Sequence, residues 1–514
     1  MPKSQEKTNN PKNIVICSDG TGNSAIKDRG TNVFKIFEAV DIFSHTIDPK
    51  IPLQVAIYDD GVGTSTVKPV KIIGGAFGWG LSRNVMRLYA ELSRVYEPGD
   101  RIYLFGFSRG AFTVRTLAGL ILTCGVINRY KCQDDVILKK RVSEAYSEYR
   151  ERYRTWFGQR LRKPLDPQLG MAFRQQHAIV DETHAPDGLV EIQFIGVWDT
   201  VDAVGLPFAG AAALINTFIY RYKFPDNRLN PKVLKACHAL AIDDERQTFH
   251  PEIWDEEGEP GDRIEQVWFS GVHSNVGGGY PKQGLSLVTL YWMMHKAKDA
   301  GLYFSEFDWC LVRDHQNQYD KLYDSRSGFA VYYRYKPRDL DAMCRKHHME
   351  PKIHVTVLER IVQSTDGYAP GNIPAKAQIE VTIPQSGDLK AIPAVLMKEF
   401  DPDKILLDRT RLLIRLRHWC HILLILFTVF TIGILFYVQV QQECFVTAVD
   451  GLFKVNVLTK FARTALDLPL IVQVPLVAAF VILFLVTNYA RMNMHMVYSE
   501  AWFKLHTKLR DKLT

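Results

Sequence analysis

The chain has 514 residues, of which 47% are hydrophobic, 23% charged and 11% aromatic. That composition supports a large buried core and excludes a disordered, collagen-like or low-complexity polypeptide. The net charge of +7 is unevenly placed: residues 401–514 hold 13 basic and 8 acidic side chains, a net +5, which leaves +2 for the first 400. A near-neutral body with no zinc-finger, RNA-recognition or basic-zipper pattern excludes nucleic acid as the partner.

Residues 1–12 are polar and read as a disordered N-terminus without a cleaved signal sequence. From residue 13 to about 400, short β-rich runs alternate with helix-period segments, the pattern of one α/β domain with a mostly parallel sheet. The first run, Asn13–Cys17, opens into Ser18-Asp19-Gly20-Thr21-Gly22-Asn23. This loop lacks the Lys-Ser/Thr of a phosphate loop. Gly20, Thr21 and Gly22 could instead bring backbone N–H groups close to a developing oxyanion. A helix over Asn32–Phe43, a strand over Leu53–Tyr58 and a helix over Leu81–Val95 follow.

The strand run Arg101–Phe105 enters Gly106-Phe107-Ser108-Arg109-Gly110 and leaves into a helix over Ala111–Leu122. Strand, G-x-S-x-G and helix in that order is the context of a nucleophile elbow. Gly106 and Gly110 would relieve crowding around a strained turn that exposes the Ser108 hydroxyl. The backbone N–H of Arg109, at the positive end of the helix, would face the oxyanion. Two insertions interrupt the alternation: residues 134–176, dense in charge and expected to form a solvated helix, and residues 206–224, readable as a lid or as a core helix.

A serine hydroxyl needs a base, and on this architecture the usual order is serine, acid, histidine. His273, in a glycine-rich loop after the run Gln266–Phe269 and before a helix over Leu285–Lys298, fits the base. His238 is the reserve, placed in an expected helix. Asp199, at the end of the run Glu191–Val197, is the favoured orienting acid, and Asp202 and Asp244 are the alternatives. The eight cysteines form no C-x-x-C pair and no metal-like cluster, so free thiols and no metal or cofactor are expected.

Residues 401–514 read as a membrane anchor. The stretches 419–440 and 468–489 each hold 22 residues with no Asp, Glu, Lys or Arg, and about 20 apolar residues suffice to cross a bilayer. Arg409, Arg411, Arg415 and Arg417 precede the first, and Arg491, Lys504, Lys508, Arg510 and Lys512, in a basic C-terminal tail, follow the second. The positive-inside rule then places both termini and the catalytic domain in the cytoplasm, joined by a two-helix hairpin.

Six segments, SDGTGN (18–23), GFSRGAFTVRTLAG (106–119), GVWDTVDAVG (196–205), HALAIDDER (238–246), WFSGVHSNVGGGYP (268–281) and YYRYKPRD (332–339), resemble the α/β-hydrolase catalytic domain of type VI secretion phospholipase effectors. The resemblance implies an α/β-hydrolase fold and a Ser108–Asp199–His273 hydrolase acting on phospholipids or other lipid esters. Relatives often carry an aspartate where Asn275 stands here. The rival expectations are a non-catalytic membrane adaptor that retains the fold, and an esterase or acyltransferase for a soluble substrate.

Overall fold

A computed structural model of the chain describes residues 11–20, 30–60, 76–151, 168–180, 187–201, 227–383, 392, 406–442 and 464–513. The 206–224 insertion, residues 152–167 of the other insertion, Thr21, Gly22, Asp202, residues 1–10 and most of the connection between the two apolar stretches lie outside the described residues.

Eight strands form one sheet among the described residues: β1 (Asn13–Ser18), β2 (Gln54–Asp59), β3 (Arg101–Phe107), β4 (Ile192–Trp198), β5 (Ala236–Ala241), β6 (Ile264–Phe269), β7 (Lys352–His354) and β8 (Gln378–Glu380). Their spatial order is β2-β1-β3-β4-β5-β6-β7-β8, and every neighbouring pair is parallel. The central strands β1 and β5 are buried at every position, and β3 and β4 at all but one each, as parallel strands covered on both faces must be. The order reverses direction at β1 and β3, so the crevice at their carboxyl ends is the natural place for a ligand.

The helices are α1 (Asn32–Ala39), α2 (Ala76–Val95), α3 (Arg109–Cys124), α4 (Asp135–Arg150), α5 (Met171–His177), α6 (His273–Gly277), α7 (Gly284–Asp299), α8 (Glu306–His315), α9 (Leu340–Lys346), α10 (Val355–Val362), α11 (Leu406–Arg409), α12 (Arg411–Gln442) and α13 (Leu470–Leu513). One face of the sheet packs on α2, α3 and α4 through Leu88, Leu92, Val114, Leu117 and Ile121, and the other packs on α1 and α7 through Val33, Ile36, Leu290 and Met293. α4 lies in the charged 134–176 segment, yet Leu138, Val142, Ala145, Tyr146 and Tyr149 form a buried stripe that joins the first core.

One expectation is overturned at His238, which lies in β5 and not in a helix. The strand reads ACHALA and is buried at every position. A short run covered on both faces has no polar alternation, and its alanines, strong helix formers in isolation, are buried between β4 and β6, with Ala239 in register with Trp198. Burial lowers the His238 pKa to about 3, and its Nε2 accepts the Thr200 N–H at 3.1 Å. It is a neutral structural histidine.

The C-terminal helices α12 and α13 are both long and apolar enough to cross a membrane, and almost none of their most apolar stretches is covered by the rest of the chain. α13 does not end where its apolar stretch ends. Met494, Tyr498, Trp502, Leu505 and Leu509, on its second half, pack with Leu340, Ile353, Leu358 and Ile361 in a third core beside β6 and β7. The Trp502 indole donates to the Pro370 carbonyl at 2.7 Å, as a buried indole N–H requires.

Candidate active site

β3 ends at Phe107, and Ser108 turns the chain into α3 with φ +58° and ψ −122°. A non-glycine residue in that region is strained, and it persists only because its surroundings dictate it. The Ser108 N–H donates to the Trp198 carbonyl at 3.0 Å, and its own carbonyl accepts the Phe112 N–H at 3.3 Å. A Cβ at Gly106 would stand 2.6 Å from the Ala111 Cα, and one at Gly110 would stand 2.0 Å from the Ser18 carbonyl oxygen. Both glycines are therefore required by space, and the elbow is a backbone construction that joins β1, β3 and α3. α3 begins at Arg109, so the positive end of a 16-residue helix lies at the serine.

On the loop after β1, the Gly20 N–H donates to Asp19 Oδ1 at 2.6 Å. The Asp19 carboxylate also accepts from the Thr31 hydroxyl at 2.5 Å and the Tyr58 hydroxyl at 2.8 Å.

Asp199 follows β4 and is fully buried. Its carboxylate is filled on both oxygens: Oδ1 accepts from Arg338 Nη1 at 2.7 Å and from the Ala241 N–H at 3.1 Å. Oδ2 accepts from Arg338 Nη2 at 2.8 Å and stands 2.6 Å from His273 Nδ1. Burial alone would raise its pKa, but the Arg338 guanidinium and the His273 hydrogen bond outweigh it and hold the carboxyl well below the usual carboxylate range. An ionised carboxylate only accepts, so Nδ1 carries the imidazole proton and Nε2 keeps its lone pair. Burial lowers the His273 pKa and Asp199 opposes the shift, so the ring is neutral at physiological pH.

The His273 ring lies between two aromatic rings, Phe107 at 4.6 Å, next to Ser108 in the chain, and Phe249 edge-on at 5.0 Å. Asp244 does not meet the imidazole. Its Oδ2 accepts the backbone N–H of His273 at 3.2 Å while Arg246 grips the same carboxylate at 2.6 Å and 3.0 Å. Asp244 therefore fixes the loop, and Asp199 alone of the described candidates meets the ring. Asn275 also braces this loop: its Oδ1 accepts the Val272 and Tyr323 N–H groups at 3.3 Å and 3.2 Å, and its Nδ2 donates to the Lys321 carbonyl at 3.1 Å. An aspartate could make the first two bonds but not the third.

Two further residues were not foreseen from the sequence. Arg338, fully buried, is the bidentate partner of Asp199 and also donates to the Ala241 and Phe249 carbonyls. Asp243 accepts the Gly271 N–H at 2.6 Å and the Tyr368 hydroxyl at 3.0 Å, and burial pushes its carboxyl up to about 7.

A parallel sheet covered by helices, with a strained serine turn at its carboxyl edge and a buried His–Asp–Arg chain at the same edge, makes this an α/β protein of the parallel-sheet class. The profile of the T6SS phospholipase effector Tle1-like catalytic domain matches residues 12–296, and the chain belongs to that family. It is also similar to the uncharacterized protein YEL023C of Saccharomyces cerevisiae, 26% identical over 251 residues that cover 46% of this chain and 32% of the yeast protein. The chain thus spans about a third of that relative. A crystal structure of an uncharacterized protein from Pseudomonas aeruginosa aligns with a TM-score of 0.35 at 19% identity, covering 60% of this chain and 48% of that one. Arg338 lies outside the residues that match the family profile.

Proposed function

We propose that the chain is a membrane-tethered serine hydrolase that cleaves carboxylic esters of phospholipids or related lipids. Its hydrolase body would span residues 13–400 and its anchor residues 401–514, with both termini and the body on the cytoplasmic side. The observation that carries the reading is the coincidence, at one edge of one sheet, of a strained serine elbow with a histidine whose Nδ1 is bonded to a buried, ionised aspartate.

In this mechanism the Ser108 hydroxyl attacks the ester carbonyl while His273 Nε2 takes its proton, and Asp199 stabilises the imidazolium. Backbone N–H groups at the start of α3, that of Arg109 among them, stabilise the oxyanion. Collapse releases the alcohol, protonated by His273, and leaves an acyl group on Ser108. A water activated by the same imidazole then attacks that ester and frees the fatty acid. Tethering favours a lipid substrate because it holds the site at the bilayer surface and raises the effective substrate concentration.

A fluorophosphonate probe tests the reading, since only an activated serine reacts. Wild-type protein should be labelled at Ser108, and Ser108→Ala should lose both label and lipid hydrolysis. A folded wild-type protein that resists the probe and hydrolyses no ester would instead be an adaptor.

A further inference from the structure

The 3-10 turn Gly328–Tyr332 and the three residues after it run along the start of α12. The Tyr332 hydroxyl and Thr428 Oγ1 lie 3.2 Å apart. Below them Arg417 makes a two-pronged ion pair with Glu245, both bonds 3.0 Å, and donates to the Tyr335 hydroxyl at 2.8 Å. The contacts therefore touch the helix at 417 and again at 428. At 1.5 Å per residue, Thr428 lies about 13 Å along the helix from Trp419, the first residue of the apolar stretch. One leaflet contributes about 15 Å of hydrocarbon. A turn bonded to Thr428 cannot remain in the water if residues 419–440 cross the bilayer.

The turn is built for that surrounding. Residues 328–333 read GFAVYY and carry no charge. Carbonyl groups in hydrocarbon need partners within the protein. Arg326 Nη2 donates to the carbonyls of Val331 and Tyr333 at 2.9 Å and 3.3 Å, and the Tyr333 N–H donates to the Ala330 carbonyl at 3.1 Å. The same segment reaches the site. The Tyr333 ring packs edge-on against Phe249 at 5.4 Å, and Phe249 packs against the His273 imidazole. Two aromatic rings thus separate the helix-bound turn from the imidazole.

We propose that residues 328–333 form a lip immersed in the leaflet next to the body, and that the ester substrate reaches Ser108 sideways from the acyl-chain region of the bilayer. The inference rests on the membrane-spanning, serine-hydrolase reading above. The physical advantage is that a long acyl chain passes from lipid to protein without exposing its methylenes to water.

The test uses the full chain in phosphatidylcholine vesicles with two substrates, a bilayer phospholipid bearing a fluorogenic acyl chain and a water-soluble p-nitrophenyl butyrate. Val331→Asp places a charge on the lip; it should lower turnover of the bilayer lipid at least tenfold and leave the soluble ester within twofold. Equal losses on both substrates, or undiminished turnover of the lipid, overturn the proposal. In a second measurement, a fluorescent coumarin amino acid in place of Val331 should be quenched more strongly by a nitroxide on an acyl carbon than by one on the head group. The reverse order overturns the proposal even where Val331→Asp does not fold. If the wild-type chain hydrolyses neither ester and takes no fluorophosphonate label, the hydrolase reading fails, and the quenching experiment still decides the immersion.

Discussion

Ser108 and His273 stand at the same edge of the sheet but are held there by different means. The serine is positioned by backbone: its strained φ of +58°, two glycines whose hydrogens touch neighbouring main chain, and hydrogen bonds through its own N–H and C=O. The histidine is positioned by side chains from distant parts of the chain, with Asp199 lying 74 positions before it and Arg338 a further 139 positions from Asp199. A backbone device resists small chemical change but tolerates no added volume. A buried charge chain tolerates little change in charge, because removing one member leaves another desolvated and unpaired.

The largest expected effect lies on the serine side. Ser108→Ala deletes the nucleophile but none of the elbow, so lipid turnover should fall on the order of 10⁶-fold with an unchanged melting temperature. A matching drop in melting temperature would show that the hydroxyl is a structural group. On the histidine side, Asp199→Asn should cost on the order of 10⁴-fold in kcat by losing the tautomer that frees Nε2. Its pH profile adds a sign. Wild-type kcat/KM should rise with pH as the imidazole loses its proton, with the limb below the ordinary value of 6.5 because burial lowers the His273 pKa. Asp199 opposes that shift, so in Asp199→Asn the limb should move further down; an upward move would refute the assignment.

Arg338→Met separates charge from volume. It leaves the Asp199 carboxylate buried beside a neutral side chain and should cost about 3–5 kcal/mol of stability, read by thermal unfolding. The double variant with Asp199→Asn should cost less than the sum of the two, since the orphaned charge is gone. The smallest effect is steric. Gly110→Ala should destabilise by roughly 1–3 kcal/mol because its methyl group must displace the Ser18 carbonyl. Gly261→Ala, where a Cβ meets nothing within 4 Å, should stay within about 0.5 kcal/mol of wild type. Equal costs at both positions would mean that the elbow is not tightly packed.

The two halves of the sheet were unequally legible. β1, β3, β4 and β6 follow runs of β-branched and aromatic residues, and the elbow is marked by glycines at fixed offsets from a serine. β5 had no such mark, because its alanines carry no β-branched or aromatic signal and take their conformation from pairing with β4 and β6 on either side. β7 and β8 are three residues each, too short for any period to register. In the site, Ser108, Asp199 and His273 could be proposed from residue type, loop position and chain order. Arg338 could not: its segment YYRYKPRD resembles the family, but nothing in residue type or spacing singles Arg338 out from the neighbouring Arg334 and Lys336 as the partner of Asp199.

The apolar lengths of the two C-terminal stretches, the strand-turn-helix around Ser108 and the parallel α/β class are properties of the sequence by itself, because each depends on neighbours within a few residues. Which carboxylate meets His273, that Asp244 holds its backbone instead, and that Arg338 neutralises Asp199 were decided only in three dimensions. So was the course of residues 328–335 along α12 toward the active-site aromatics. These pairings join groups far apart in the chain, and only burial in a shared interior makes a hydrogen bond between them strong enough to select one partner over another.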